Sequence, residues 1–139
     1  MFEKVLRKGG RTHWKELIDY DNKPQIKAIY VAVRNMERAI KFYEEILKVK
    51  ISSKDERMSS FQLDNITFLL FNPNVDGEKV STGDNVIPCI EVENINEMLK
   101  LIKRKGCEVV MPIKKIENYV LFQAKDTEGN TIEFYQTEK

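Results

Sequence analysis

Residues 27–47, KAIYVAVRNMERAIKFYEEIL, change from a strand pattern to a helix pattern within a few positions. Up to Val33 the apolar side chains alternate, which predicts a strand because successive strand residues point to opposite faces. From Asn35, a favourable N-cap residue, apolar residues return every three or four positions through Leu47 and predict an amphipathic helix. Three more strands are predicted after that helix, near residues 49–52, 58–63 and 66–71.

The same order of elements begins again after a polar linker at residues 76–85. A strand is predicted at Val86–Val92, then a helix at Ile95–Lys105 with Asn94 as its N-cap and Gly106 at its end. Three strands are predicted to follow, near residues 108–111, 119–124 and 131–136. The two halves can be superposed element by element. Corresponding positions include Val33 and Val92, Asn35 and Asn94, Phe61-Gln62 and Phe122-Gln123, and Thr67–Asn72 and Thr131–Gln136.

This repeat predicts an α+β domain at residues 26–138, built from β-α-β-β-β modules at 26–75 and 86–138. Both modules are expected to contribute to one curved, mixed, eight-stranded sheet around a cleft, which is a common setting for a ligand site. Residues 1–25 are expected to be an N-terminal extension that docks on the domain, covers the cleft or closes a dimer. Within it, Thr12 is a suitable N-cap for a short helix predicted to reach Tyr20.

The overall charge excludes some classes of partner. The chain has 23 Lys and Arg against 22 Asp and Glu, so its formal net charge is only +1. That balance argues against broad electrostatic binding to nucleic acid or to an anionic membrane. No apolar run is long enough to span a bilayer, and the first residues lack a signal-peptide pattern, so a cytoplasmic location is expected.

The counts of cysteine and histidine limit the metal chemistry. Cys89 and Cys107 form no C-x-x-C pair and are expected to be reduced thiols in the cytosol. His13 is the one histidine, so a single copy of the chain cannot supply the two imidazoles that zinc and non-haem iron sites usually take.

Two stretches resemble the vicinal oxygen chelate superfamily, which includes glyoxalase I, the extradiol dioxygenases and the bleomycin-resistance proteins. They are Val33–Leu47 and the closing sequence DTEGNTIE at residues 126–133. The resemblance covers about Lys27 to Gln136 and implies a glyoxalase-like fold. The chain departs from the family pattern at Thr127, where the family usually has Pro, and at Lys48, where it usually has Gly.

Catalytic members of the family hold a divalent metal on four side chains, one from each of four central strands. The resemblance assigns these places to Ala28, Leu69, Ile87 and Glu133. Of these four, only Glu133 has a side chain that can ligate a metal, and one carboxylate holds a transition metal weakly. The resemblance therefore implies a member without a metal centre, and no cofactor is expected.

Strand alternation selects the residues that would line the cleft. Tyr30, Leu69, Phe71, Cys89, Glu91, Glu133 and Tyr135 are expected to face it, and Phe61 and Phe122 are included although their facing is open. Glu133 is the most informative position, because a carboxylate among apolar groups can serve as general base or anchor a cation. The alternative is an acid at the cleft mouth or one paired with a lysine. Cys89 lacks a basic neighbour in its strand and is expected to be unreactive.

The leading hypothesis is a metal-free protein, similar to the bleomycin-resistance proteins, that encloses a small amphipathic and partly aromatic molecule between its modules. The resemblance also implies a homodimer. One alternative is an enzyme of the same superfamily, either metal-independent with Glu133 as general base or a metal-dependent lyase or dioxygenase, which the ligand count opposes. Another is a structural or regulatory module whose cleft is closed by its own side chains.

Overall fold

The computed structural model describes residues 24–138, Asp21 and two short strands nearer the N-terminus. These strands, β1 (Lys4–Leu6) and β2 (Thr12–Trp14), form an antiparallel pair in which Val5 lies opposite His13. The helix predicted from Thr12 to Tyr20 is therefore wrong over its first three residues, whose backbone pairs with β1 instead. The rest of that predicted helix lies outside the described residues.

The first module has a three-stranded sheet packed against one helix. The elements are β3 (Ala28–Ala32), α1 (Met36–Leu47), β4 (Met58–Gln62), β5 (Thr67–Phe71) and a short 3-10 helix (Pro73–Asp76). The strand order is β3-β5-β4, with β5 parallel to β3 and antiparallel to β4. Asn35 caps the helix as predicted, since its side-chain oxygen accepts a hydrogen bond of 3.0 Å from the Arg38 amide.

The second module has a four-stranded sheet, also packed against one helix. The elements are β6 (Cys89–Glu91), α2 (Ile95–Arg104), β7 (Val109–Ile116), β8 (Tyr119–Lys125) and β9 (Thr131–Thr137). The strand order is β6-β9-β8-β7, and of these pairs only β6–β9 is parallel. Asn94 caps the helix, accepting from the Glu97 amide at 3.1 Å.

Backbone hydrogen bonds confirm the internal repeat. The amide of Val33 donates to the Phe71 carbonyl at 2.8 Å, and the amide of Val92 donates to the Tyr135 carbonyl at the same distance. The parallel registers also correspond, because Tyr30 lies opposite Leu69 and Cys89 lies opposite Glu133. The two modules are therefore the same arrangement of strands built twice.

The α+β class with two modules is confirmed, but the sheet is not one layer of eight strands. Within residues 24–138 the strands form two separate sheets, of three and four strands. Seven strands are present there and not eight, because residues 49–52 do not form the predicted strand. Only an isolated bridge joins Ser53 to Ser60. The Gln62 amide donates to the Ser52 hydroxyl at 2.8 Å, so a side chain replaces the carbonyl that a continuing ladder would need.

The first strand of the second module is shorter than predicted. Val86–Val92 was expected to be extended throughout, but pairing in β6 covers Cys89–Glu91 only. Pro88 stands directly before the strand and has no amide hydrogen to donate, which limits pairing on that side. Its carbonyl still accepts from the Glu133 amide at 3.0 Å.

The turn at residues 126–130 joins the second module to the first. The Asp126 carboxylate accepts a 2.5 Å hydrogen bond from the hydroxyl of Tyr43, which is fully buried in α1. The Glu128 carboxylate accepts from two backbone amides at the start of α1, and the Asn130 side chain donates to the Ala32 carbonyl at 2.8 Å. The DTEGNTIE sequence thus connects the modules through buried polar groups.

A single hydrophobic cluster contains buried residues from both helices and both sheets. Phe42 and Tyr43 of α1 are members, together with Phe68 of β5 and Phe134 of β9. Among the residues that the structure describes, no helix has the length and apolarity needed to cross a bilayer.

Candidate functional site on the open sheet faces

Each sheet has one face that packs on its helix and one that does not. In β5, Phe68 and Leu70 are buried on the helix side, so Thr67, Leu69 and Phe71 point the other way. We call the uncovered faces together the open face. It includes Tyr30, Leu69 and Phe71 in the first module and Cys89, Glu91, Glu133 and Tyr135 in the second.

On the first-module half of the open face, Tyr30, Leu69 and Phe71 form an apolar and aromatic patch, whereas Thr67, Ser60 and Gln62 on the same face are polar. Tyr30 of β3 lies opposite Leu69 and is 55% exposed. Its ring meets the buried Phe71 ring edge to face, with centroids 5.5 Å apart. The Arg57 guanidinium lies 5.5 Å from the Phe71 ring centre and is paired with Asp76. The Tyr30 ring is therefore accessible to solvent and lies beside apolar side chains of the same sheet face.

Glu133 occupies the second-module half, where two neutral donors hold its carboxylate. One oxygen accepts from the Gln123 side-chain amide at 2.9 Å, and the other lies 3.5 Å from the Cys89 sulfur. Burial raises the pKa of the Cys89 thiol, and the nearby Glu133 charge raises that pKa further. Cys89 is therefore a weak hydrogen-bond donor rather than a nucleophile, because a thiol reacts through its thiolate.

Glu91 and Tyr135 extend this half toward the carboxyl ends of β6 and β9. They lie opposite each other, and the Thr137 hydroxyl donates to Glu91 at 3.3 Å. Tyr135 meets Tyr119 edge to face at 5.9 Å. Burial raises the pKa of Tyr135, and the Glu91 charge adds to this effect. A depression of about 890 Å³ opens beside them, lined by Glu91, Val92, Glu93, Gln136, Thr137 and Glu138.

Seven of the nine predicted lining residues are placed on the open face, although Phe71 is buried there. The inclusion of Phe61 and Phe122 is wrong, because both are 0% exposed and lie on the helix side of their strands. Phe61 contacts Phe68 there, and Phe122 stacks on Phe134 with ring centres 5.1 Å apart. Their equivalent burial follows from the repeat.

Sequence reasoning missed two residues of β8 that point to the open face, Tyr119 and Gln123. The apolar residues Val120, Phe122 and Ala124 alternate along β8, and this pattern indicates that Tyr119 and Gln123 point to the opposite face. That signal is ambiguous because Leu121 is apolar as well. Only pairing with β9 shows that Gln123 lies opposite Glu133.

The residues at the four places assigned by the resemblance do not fit a metal centre. Ala28, Leu69 and Ile87 offer alkyl groups, and the Glu133 oxygens already accept hydrogen bonds from Gln123 and Cys89. Across residues 24–138, no three His, Cys, Asp or Glu side chains are grouped so that they could hold a metal ion.

Comparison with known families agrees with this architecture. Residues 25–134 match the model of the Glyoxalase/Bleomycin resistance protein/Dioxygenase superfamily. The chain belongs to this superfamily, which confirms the resemblance noted in its sequence. Among curated protein sequences, none matches the chain.

Solved structures share the fold at low sequence identity. Lactoylglutathione lyase from Agrobacterium tumefaciens has a TM-score of 0.64 and 15% identity, over 82% of this chain and 94% of that one. A glyoxalase-related enzyme from Fulvimarina pelagi has a TM-score of 0.69 and 13% identity, over 81% and 88%. A glyoxalase/bleomycin resistance protein/dioxygenase from Nocardioides has a TM-score of 0.65 and 17% identity, over 85% and 86%. At these identities the likeness establishes the fold alone.

Proposed function

We propose that this protein binds a small amphipathic, partly aromatic molecule on the open face between its two modules, without a metal ion. One observation carries the proposal. A tyrosine ring, Tyr30, is 55% exposed in β3, an edge strand of the first-module sheet, on the face that neither helix covers. Exposed aromatic surface beside a few oriented polar groups is typical of small-molecule sites.

The polar groups needed for orientation lie on the same face. Gln123 and Glu133 are hydrogen-bonded to each other and half-buried, whereas Cys89 and Glu91 are exposed. The exposure of Tyr30, Cys89 and Glu91 supports a ligand site over a structural module whose cleft is closed by its own side chains. Binding by shape and desolvated contacts needs no reactive group.

The metal-free part of the proposal rests on the donor set and has its own measurement. Metal content of untagged protein, purified without chelator, should be well below one equivalent per chain. Adding divalent cations should leave the melting temperature unchanged, because one carboxylate binds a transition metal weakly. One tightly bound metal per chain would contradict this part of the proposal.

A thermal-shift screen tests ligand binding on the full chain. The panel holds planar antibiotics, aromatic acids, aromatic amines and glutathione adducts. A ligand at a hundredfold over its Kd adds about 2.7 kcal/mol to the free energy of unfolding, which for this size raises the Tm by several degrees. Tyr30→Ala should lose most of that shift. Val75→Ala, an exposed residue of the 3-10 helix, is the matched control and should keep it. A panel without any shift would contradict the proposal.

A second candidate is a metal-independent enzyme of the same superfamily with Glu133 as general base. The observation that favours it is the fixed orientation of the carboxylate between Gln123 and Cys89. Positioned carboxylates can accept a proton from a bound substrate. Turnover of a carbonyl or epoxide compound that disappears in Glu133→Gln, while binding of that compound persists, would favour catalysis over binding alone.

A further inference from the structure

The internal repeat allows the two halves of the open face to be compared position by position. The backbone registers are equivalent, so a side chain in one module has a counterpart in the other. The corresponding pairs, first module before second, are Tyr30 and Cys89, Ala32 and Glu91, and Leu69 and Glu133. At these places the first module has no charged group and the second has two carboxylates.

Among the described residues, no lysine or arginine pairs with either of these two carboxylates, Glu91 and Glu133. Their hydrogen-bond donors are the neutral groups of Thr137, Gln123 and Cys89. Lys125 lies on the same side of β8, but its ammonium donates to the Thr131 hydroxyl at 3.1 Å.

Aromatic rings complete the acidic half. Tyr135 lies opposite Glu91 and meets Tyr119 edge to face. The face of an aromatic ring attracts a cation, and a carboxylate beside it adds a direct charge interaction. Rings and uncompensated carboxylates together favour an ammonium group over a neutral or anionic one.

We infer that the ligand is an aromatic amine bound in one orientation. Its cationic nitrogen lies at Glu91, Glu133 and Tyr135 of the second module, and its apolar ring lies on Tyr30 and Leu69 of the first. The inference rests on the proposed function and adds to it the charge and the direction of the ligand. A carboxylate on the same ring system is repelled, because it would approach two groups of its own sign.

Three probes that share one ring system test this assignment. They are 2-(1-naphthyl)ethylamine, 2-(1-naphthyl)ethanol and 1-naphthylacetate, titrated calorimetrically into the full chain at pH 7 and low salt. The amine should bind about tenfold more tightly than the alcohol, a difference typical of one charge-assisted contact. Naphthylacetate should bind more weakly than the alcohol.

The variants separate charge from shape. Glu133→Leu installs the residue found at the corresponding position of the first module and should abolish the preference for the amine, with alcohol affinity within about twofold of wild type. Glu133→Gln removes the charge at nearly constant shape and should also abolish the preference for the amine. The test therefore remains possible if Glu133→Leu fails to fold. Glu56→Gln, an exposed residue outside the open face, should change nothing.

The outcomes distinguish this inference from the proposed function. If the alcohol or naphthylacetate binds as tightly as the amine, or if both Glu133 variants keep the preference, the amine assignment is overturned while small-molecule binding stands. If none of the three probes binds to the wild-type protein, the result contradicts both. Rising salt should weaken amine binding more than alcohol binding.

Discussion

Cys89 and Glu133 lie opposite each other in the β6–β9 pair, and the carboxylate determines the chemistry of the thiol. The sulfur and the carboxylate oxygen are 3.5 Å apart. Partial burial raises the thiol pKa first, and the Glu133 charge and hydrogen bond raise it further. At neutral pH the thiolate is therefore scarce, although Cys89 is exposed.

This coupling can be measured by alkylation in a Cys107→Ser background, where Cys89 is the remaining thiol. Iodoacetamide should react slowly at pH 7, and the pH at half-maximal rate should lie above that of a free cysteine. Glu133→Gln should move that midpoint to lower pH and speed the reaction at pH 7, because it removes the negative charge. Glu97→Gln on α2 is the control and should leave the pH dependence of the alkylation rate unchanged. An unchanged midpoint in Glu133→Gln would show that the carboxylate does not act on the thiol.

Helix α1 ends at a residue whose backbone is strained. Lys48 has φ 55° and ψ 41°, the left-handed region that favours glycine because it has no Cβ. Helix α2 ends differently, with the left-handed position taken by Gly106 at φ 74°. The end of α1 is thus the less favourable of the two helix ends.

Replacing Lys48 by glycine should stabilise the protein. Glycine relieves the cost of the left-handed conformation, and this gain should outweigh the greater conformational entropy of the unfolded chain. The free energy of unfolding should rise by about 1 kcal/mol, and the Tm by about 4 °C. Lys50→Gly, an exposed neighbour without a positive φ, is the matched control and should not stabilise. Thermal unfolding of both variants checks this, and equal or lower stability in Lys48→Gly would contradict it.

At the scale of the whole molecule, Glu128 holds the modules together. Its side chain is 0% exposed and accepts from the Arg34 and Asn35 amides, the Thr127 hydroxyl and the Arg38 guanidinium. Burial acts to raise the pKa of this carboxyl, but the hydrogen bonds led by Arg38 outweigh burial and hold the pKa below its ordinary value.

Because the pKa of Glu128 is lowered in the folded state, its contribution to the free energy of unfolding decreases as the pH falls. The unfolded carboxyl titrates near its ordinary value of about 4.3, so the stabilising contribution is complete above that pH and is lost as the pH falls through the lower folded pKa. Glu128→Gln should cost about 2–3 kcal/mol at pH 7, since it breaks charge-assisted bonds at a buried site. The difference from wild type should shrink below about pH 4.

Urea unfolding at pH 7, 5, 4 and 3 measures this dependence, with Glu56→Gln as the exposed control. The control should follow the wild-type curve at every pH. A constant difference between Glu128→Gln and wild type down to pH 3 would mean that the carboxylate charge contributes nothing to the junction.

Much of the fold was predictable because its signals are local. Alternation and helical periodicity gave the element order, and both asparagine caps were confirmed. The strand at residues 49–52 was mispredicted because a serine hydroxyl competes for the Gln62 amide, which periodicity does not reveal. The helix expected from Thr12 failed because pairing with Lys4–Leu6 overrides the local capping signal.

The candidate site was predictable only in part. Alternation placed Tyr30, Leu69 and Glu133 on one face, because the direction of a strand side chain follows from its position. Alternation left the facing of Phe61 and Phe122 open, since their strands have similar residues on both faces, and only the packing of the fold shows that both are buried.

The sequence by itself determined the repeat, the α+β class and the chemical types on the open face, since these depend on periodicity and on side-chain identity. Only the tertiary structure decided that Gln123 reaches Glu133, that Glu91 and Glu133 lack cationic partners within residues 24–138, and that Glu128 binds the start of α1. The Glu128 contacts join residues far apart in the chain, and their formation depends on how the two modules pack. The Gln123–Glu133 bond lies within the second module and depends on the register of the β8–β9 pair. Sequence spacing carries no information about such distances.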